Sequence, residues 1–316
     1  MQLSVLYPLQ PSDPRQVLPF ATLAGQFPGA RLWTGQSLLI DAYALFAHLA
    51  GAGTRVPLGI SVGLMPLRHP LEAAVQARSL AALTGRPVVA GFGVGTPRFV
   101  AALRGAPYEK PATAAAEYAT AVRSALDGGQ GGLPPLTTAP VEVGLGVLRP
   151  RMARLAAAAA DVVITWLTPD RYLREQIIPA LDAGTPEGSA RPRVVAIVPM
   201  ALRAPGRDVA RVAELGSARH LGAPHYADML ARAGVHYPAG DTAAGARAIV
   251  EAGAFLTGSA EDVVAALEGY RECGVDEVVL STAGLIAQDG PAVALAELTE
   301  VLATATAGAQ TVSRAS

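Results

Sequence analysis

Eight short apolar runs recur along this chain, and a helix-like stretch follows each one. They are "LSVLYPL" (3–9), "RLWT" (31–34), "PLGISVG" (57–63), "PVVAGFG" (87–93), "VEVGLG" (141–146), "DVVITWL" (161–167), "RVVAIVP" (193–199) and "DEVVLST" (276–282). Most are apolar at nearly every position instead of alternating with polar residues, as in strands of a parallel sheet covered on both faces. Between them the helical stretches carry clear start signals. Asp13-Pro14 opens the first, "DAYALFAHLAGAG" runs to glycines, and 70–83, 113–127, 150–160, 170–182, 208–234, 242–253, 259–273 and 291–305 supply the rest. Eight strand–helix units predict an α/β fold, a (β/α)8 barrel; an open doubly wound sheet is the competing arrangement. Residues 200–256 are too long for one crossover and predict extra helices, an insertion before the last strand. No boundary interrupts the pattern, so 1–308 reads as one domain, with 309–316 a flexible tail.

Composition narrows the function. The chain has 316 residues, 51% hydrophobic, with a formal net charge of −1. That balance does not suggest a nucleic-acid or membrane-surface partner. The single cysteine, Cys273, fits a reducing cytoplasm, and it reads as a packed residue at a helix end. The N-terminus lacks the basic and apolar regions of a signal peptide, and no apolar run reaches the roughly 18 uninterrupted residues of a membrane span.

In a barrel of this kind chemistry sits at the C-terminal ends of the strands. "GFGVGTPRF" (91–99) ends a strand with Gly91, Gly93 and Gly95 around Val94, and Thr96-Pro97 then starts a helix. Glycines permit close backbone approach, and a helix start offers free N–H groups to a phosphate; a plain tight turn is the other reading. "GLGVLRPRM" (144–152) repeats the arrangement with Gly144, Gly146, Arg149, Pro150 and Arg151. Arginines at a helix N-terminus oppose its dipole unless an anion sits there or acids elsewhere pair with them. His220, His225 and His236 match no standard ligand spacing, so no metal is expected. No carboxylate pair falls at strand ends and no G-x-S-x-G elbow appears. Anion cradles with few acid–base groups suit a cofactor that brings its own chemistry.

The ordered blocks "RLWTGQ", "PLGISVGLMPLRHPLEAAVQARSLAALTGRPVVAGFGVGTP", "VEVGLGVLRPRMARLAAAAADVVITWLTPD" and "FLTGSAEDVVAALEGYRECGVDEVVL" resemble the bacterial-luciferase-like superfamily, and most of all its branch that uses the deazaflavin coenzyme F-420. The resemblance runs from residue 1 to about 305. It implies a luciferase-like TIM barrel and an oxidoreductase. By position it places a non-prolyl cis peptide at Ser61-Val62, as a bulge backing the coenzyme ring with Thr34, Gly35 and Gly63. Gly93 to Thr96 would then meet the ring or side chain, and Gly144 to Arg151 the phosphate-bearing tail. Some sugar-phosphate dehydrogenases of the family end strand two with an Asp-His pair; Gly35 and Gln36 stand there in this chain, which weakens an alcohol-oxidising reading. The resemblance therefore implies a reductase that delivers hydride to an unsaturated carbon or imine of a secondary metabolite, a dehydroamino acid in a modified peptide being one candidate. Gln36, Tyr7 and Trp33 are the catalytic candidates, with Tyr7 or water as proton source; Trp33, Met65 and Trp166 are candidate pocket walls, or else barrel core. The alternatives are FMN as cofactor in a luciferase-like monooxygenase, and a non-catalytic coenzyme-binding barrel. A homodimer through alanine-rich helix faces is expected of the family.

Overall fold

The computed structural model describes residues 1–128 and 131–315, with side chains to residue 308. Its strands are β1 (Gln2–Tyr7), β2 (Leu32–Thr34), β3 (Leu58–Leu64), β4 (Val88–Gly93), β5 (Val141–Gly146), β6 (Val162–Trp166), β7 (Arg193–Leu202), β8 (Leu256–Gly258) and β9 (Glu277–Ser281). Every pairing is parallel, and neighbours run β6-β5-β4-β3-β2-β1-β9-β7. Pairing of β6 with β7 closes the ring, so eight strands form a (β/α)8 barrel and the open-sheet alternative falls. All eight predicted strands are present. The ninth, β8, pairs only with Met200–Leu202 at the end of β7; at three residues it is too short to show a period.

The start signals work as the sequence implied. Asp41 accepts from the N–H groups of Tyr43 and Ala44, Thr96 from Phe99, and Ser259 forms a capping box with Asp262. The insertion between β7 and β8 comprises the helices Val209–Leu221, Pro224–Arg232 and Thr242–Glu251. The single helix expected over 208–234 is in fact two, because Pro224 lacks the N–H that would continue the first and instead opens the second. A helix at Ala283–Asp289 was not foreseen, and the C-terminal helix Pro291–Ala315 continues through most of the expected tail.

Two apolar layers hold the barrel. Leu6, Trp33, Val89, Val162, Ile164, Val195, Ile197 and Val279 fill the lumen. Outside, small residues such as Ala73, Ala77, Ala153 and Ala156 let the helices lie close on the strands. The lumen is narrow, so bulk on one strand faces glycine on the next. The Trp33 ring lies 2.3 Å from where a Gly59 Cβ would stand, and Ile164 Cδ1 lies 2.4 Å from that of Gly91. A charged cluster seals the N-terminal end. Glu277, 2% exposed, faces Arg31 at 3.7 Å and Arg193 at 3.6 Å, and Arg193 also pairs with Glu142 at 2.8 Å.

Candidate active site

At the opposite, C-terminal end β3 breaks its own regularity. The pairing of β3 with β4 shifts register between Ile60 and Gly63, and the Ser61-Val62 peptide is cis, as the resemblance implied. The bulge swings Val62 over the mouth, where it packs on the lumen cluster beside Trp166. A Cβ on Gly93 would stand 2.6 Å from Val62 Cγ2, one on Gly146 3.5 Å from Val62 Cγ1, and one on Gly35 3.4 Å from the Ser61 carbonyl oxygen. Of these three, only Gly93 stands where a side chain would collide with the bulge; at Gly35 and Gly146 a Cβ would make ordinary contacts. Gly95 does need its freedom, with φ at +78° just before the Thr96 cap. Gly63 has only ordinary contacts around it.

The clamp holding this bulge is Arg68, whose side chain is 10% exposed. Its guanidinium pairs with Asp41, donates to Gln76 Oε1 at 2.9 Å and to Gln36 Oε1 at 3.3 Å, and lies 5.1 Å over the Tyr43 ring. Gln36 also accepts from the Leu64 N–H at 3.2 Å and donates to the Ser37 carbonyl at 2.7 Å. Both ends of the Gln36 amide are engaged, so it braces the end of β3 and is not a free catalytic group. His69 caps the next helix, its Nδ1 accepting from the Leu71 N–H.

Several expected site residues lie elsewhere; for Tyr7 and Thr34 the reason is that side chains on a strand alternate between lumen and helix layer. Leu6 points inward, so Tyr7 points outward, edge-on to Phe20 with ring centroids 5.3 Å apart, and burial raises its pKa. Thr34 is likewise outside the lumen, its hydroxyl donating to the Tyr7 carbonyl at 3.4 Å. Trp33 points inward but sits deep, fully buried, its indole N–H donating to Glu277 at 2.7 Å. Met65 belongs to the outer core, and Gly144 is buried, with Ile164 Cδ1 3.0 Å from its Cβ position. Tyr7, Trp33, Thr34, Met65 and Gly144 therefore do not present side chains to the mouth.

Arg149, Pro150 and Arg151 stand where expected, at the start of the helix Pro150–Ala159, whose N-terminus no side chain caps. Arg149 pairs with Asp228 of the insertion at 2.9 Å, so an acid elsewhere does partner it; Arg151 is exposed. Thr96, also exposed, spends its hydroxyl on the cap, and Val94 is half-buried beside it.

The opposite wall is aromatic. Trp166 follows Ile164 inward at the end of β6, and its neighbour Leu167 has φ +55°, a conformation rare for a bulky side chain. The His220 ring lies 5.2 Å from the Trp166 ring and 5.0 Å from Tyr226, bringing the insertion onto the mouth. Burial first, then Arg219 and His225, push the His220 pKa down to about 4, so its imidazole is neutral at physiological pH. The helix carrying it crosses Ala283–Asp289 backbone to backbone: a Gly216 Cβ would stand 2.7 Å from the Gly284 nitrogen. In that wall Trp166 Nε1 and His220 Nδ1 are buried without a hydrogen-bond partner among the described residues, as are Ser61 Oγ at the bulge, Ser217 Oγ on the His220 helix and Ser281 Oγ at the end of β9. Sequence reasoning weighed His220 only as a metal ligand and Ser281 only as a strand-end position; nothing local placed either beside Trp166. Among the described residues no three His, Cys, Asp or Glu gather as a metal site, and no helix is long and apolar enough to cross a membrane.

The sequence matches the luciferase-like monooxygenase family over residues 3–277. No curated protein matches it. Among solved structures it resembles a coenzyme F-420-dependent tetrahydromethanopterin reductase from Methanopyrus kandleri, with TM-score 0.70 and 18% identity over 96% of this chain and 97% of that one. An F-420-dependent secondary alcohol dehydrogenase in complex with an F-420-acetone adduct matches with TM-score 0.64 and 16% identity, over 88% and 92% of the two chains. A monooxygenase from Streptomyces bottropensis matches with TM-score 0.62 and 17% identity, over 89% and 91%. At such identities the likeness is one of fold.

Proposed function

The chain belongs to the luciferase-like monooxygenase family of oxidoreductases, and on that premise we propose that it is an F-420-dependent reductase, delivering hydride to an unsaturated carbon or imine of a secondary metabolite. One observation carries this reading. Among the described residues the mouth offers apolar walls and hydrogen-bonding atoms but no acid–base pair: Tyr7 is turned into the helix layer, Gln36 is engaged at both ends, and Glu142 and Glu277 are sealed at the far end of the barrel. A site so furnished suits a coenzyme that carries the reactive electrons itself.

The residues present fit such a group. Val62 would back the coenzyme ring, Gly63, Gly93 and Gly146 would leave its edge open to backbone, and the unpartnered Ser61 hydroxyl would take a hydrogen bond from it or give one. The uncapped helix start at Pro150, flanked by Arg149 and Arg151, would receive a phosphate-bearing tail. When bound, the deazaflavin supplies a hydride. The chain's own part is to orient the two reactants and exclude water from their contact, with Trp166 walling the substrate side. With Tyr7 turned outward, the accompanying proton comes from water. A dehydroamino acid in a modified peptide remains one substrate class within this proposal, and a cytoplasmic homodimer its working form.

The test is a binding titration of purified protein with F-420 and, in parallel, with FMN. Tight binding of F-420 alone supports the proposal and directs a search among unsaturated substrates. Preference for FMN replaces it with a monooxygenase, and binding of neither leaves a barrel without a redox role.

A further inference from the structure

Resting on the reductase reading, we infer that the insertion and the end of β6 build a neutral hydrogen-bonding subsite for the carbonyl of a substrate amide, with Trp166 and His220 as its specificity-determining residues. Four observations converge. The Trp166 indole N–H is buried and donates to nothing among the described residues. The His220 Nδ1 is in the same condition, and its ring lies 5.2 Å from the indole. Ser281, 1% exposed, continues the inward alternation of Val279; its hydroxyl also has no partner. Its strand pairs with the far side of β7: Trp166 stands level with Ile197 and Ser281 level with Pro199. A buried polar group left unpaired is costly, so a ligand that satisfies these three side chains recovers that cost on binding.

The chemistry selects the ligand. An indole N–H can only donate, and it calls for an acceptor such as a carbonyl oxygen. A neutral imidazole Nδ1 and a serine hydroxyl can each donate or accept, which matches the remaining N–H and oxygen of an amide. Burial keeps the imidazole neutral, with Arg219 on its own helix and His225 acting in the same direction. Arg149 is itself paired with Asp228, while Tyr226 closes the other side as an aromatic face. Among the described residues the subsite's own groups, indole N–H, neutral imidazole and hydroxyl, carry no full charge, and burying a carboxylate against them would be costly. An unsaturated amide also presents a flat face to Trp166.

Calorimetric titration without coenzyme would compare N-acetyl-dehydroalanine methylamide with N-acetyl-dehydroalanine, which differs by carrying a carboxylate. The amide is expected to bind at least tenfold more tightly at pH 7. Trp166→Phe, which keeps the ring face and removes the N–H, should weaken the amide about tenfold, and His220→Phe by a similar factor. F-420 affinity, measured separately, should stay within twofold for both. Ser281→Ala, a smaller change expected to weaken the amide severalfold, serves if an aromatic variant fails to fold. Equal or tighter binding of the carboxylate overturns the inference. So does loss of F-420 affinity without loss of the amide, which would assign these atoms to the coenzyme. Should the amide bind as expected while F-420 does not bind the wild type, the subsite stands and the reductase reading fails.

Discussion

Replacing Gly93 by alanine tests the geometry on which the whole mouth depends. The new Cβ would stand 2.6 Å from Val62 Cγ2, closer than real Cβ contacts come, while Val62 Cβ would be 3.6 Å away, an ordinary contact. Val62 is β-branched and its χ1 is stiff, so relief requires moving the bulge itself. Overpacking of this kind costs about 1–3 kcal/mol, or roughly 2–5 °C in Tm for a chain of this length. Displacing Val62 should also weaken F-420 binding about tenfold, equivalent to about 1.4 kcal/mol. Val62→Ala removes both methyl groups and costs its own share of buried surface, about 1–2 kcal/mol. In the double variant the 2.6 Å contact disappears and only the 3.6 Å one remains. Urea unfolding of the four proteins should then give a favourable coupling of about 1–3 kcal/mol, close to the whole cost of Gly93→Ala. Additive losses, or a Gly93→Ala protein of unaltered stability and coenzyme affinity, would refute the placement of Val62 over the mouth.

Other outcomes follow from charges. Glu277→Leu strands the buried Arg31 and the Trp33 indole N–H, and should cost about 3–5 kcal/mol in urea unfolding, with Glu277→Gln milder because it can still accept from Trp33. The His220 pKa is about 4 in the fold against 6.5 unfolded, so its contribution is complete above pH 6.5 and is lost as pH falls toward 4. The loss totals about 3 kcal/mol, and His220→Phe should flatten that part of the stability–pH curve measured by denaturant titration. Arg149→Ala breaks a half-exposed pair and should change stability by less than about 1 kcal/mol. The same substitution should weaken F-420 binding severalfold and reduce its salt dependence; unchanged binding would remove Arg149 from the tail site.

Much of the barrel was legible because burial on both strand faces writes itself locally, as unbroken apolar runs such as "VVAGFG" and "VVITW", with Asp, Thr and Ser caps marking helix starts between them. The mouth was legible only in outline. Trp166 does lie inward at the end of β6, but the same reasoning placed Tyr7, Thr34 and Met65 at the mouth as well. A strand end read from sequence tells which residues are near the mouth; it does not tell which of two neighbouring side chains points inward. That depends on the register of closure, which sent Leu6 into the lumen and Tyr7 against Phe20.

The glycines show the same division. Gly93 was marked by sequence as a place where something approaches closely. The structure supplied the something: the bulge at Ser61-Val62. Likewise Arg68 is one residue of a helix entry in the sequence, and in three dimensions it joins Gln36, Asp41, Tyr43 and Gln76. The sequence by itself determined the layers, the order of strands and the class of chemistry excluded, since these rest on composition and short-range period. The tertiary structure alone decided which side chains meet at the mouth, because the insertion brings His220 to Trp166 across 54 positions of chain through a crossing of Gly216 on Gly284 that no local pattern records.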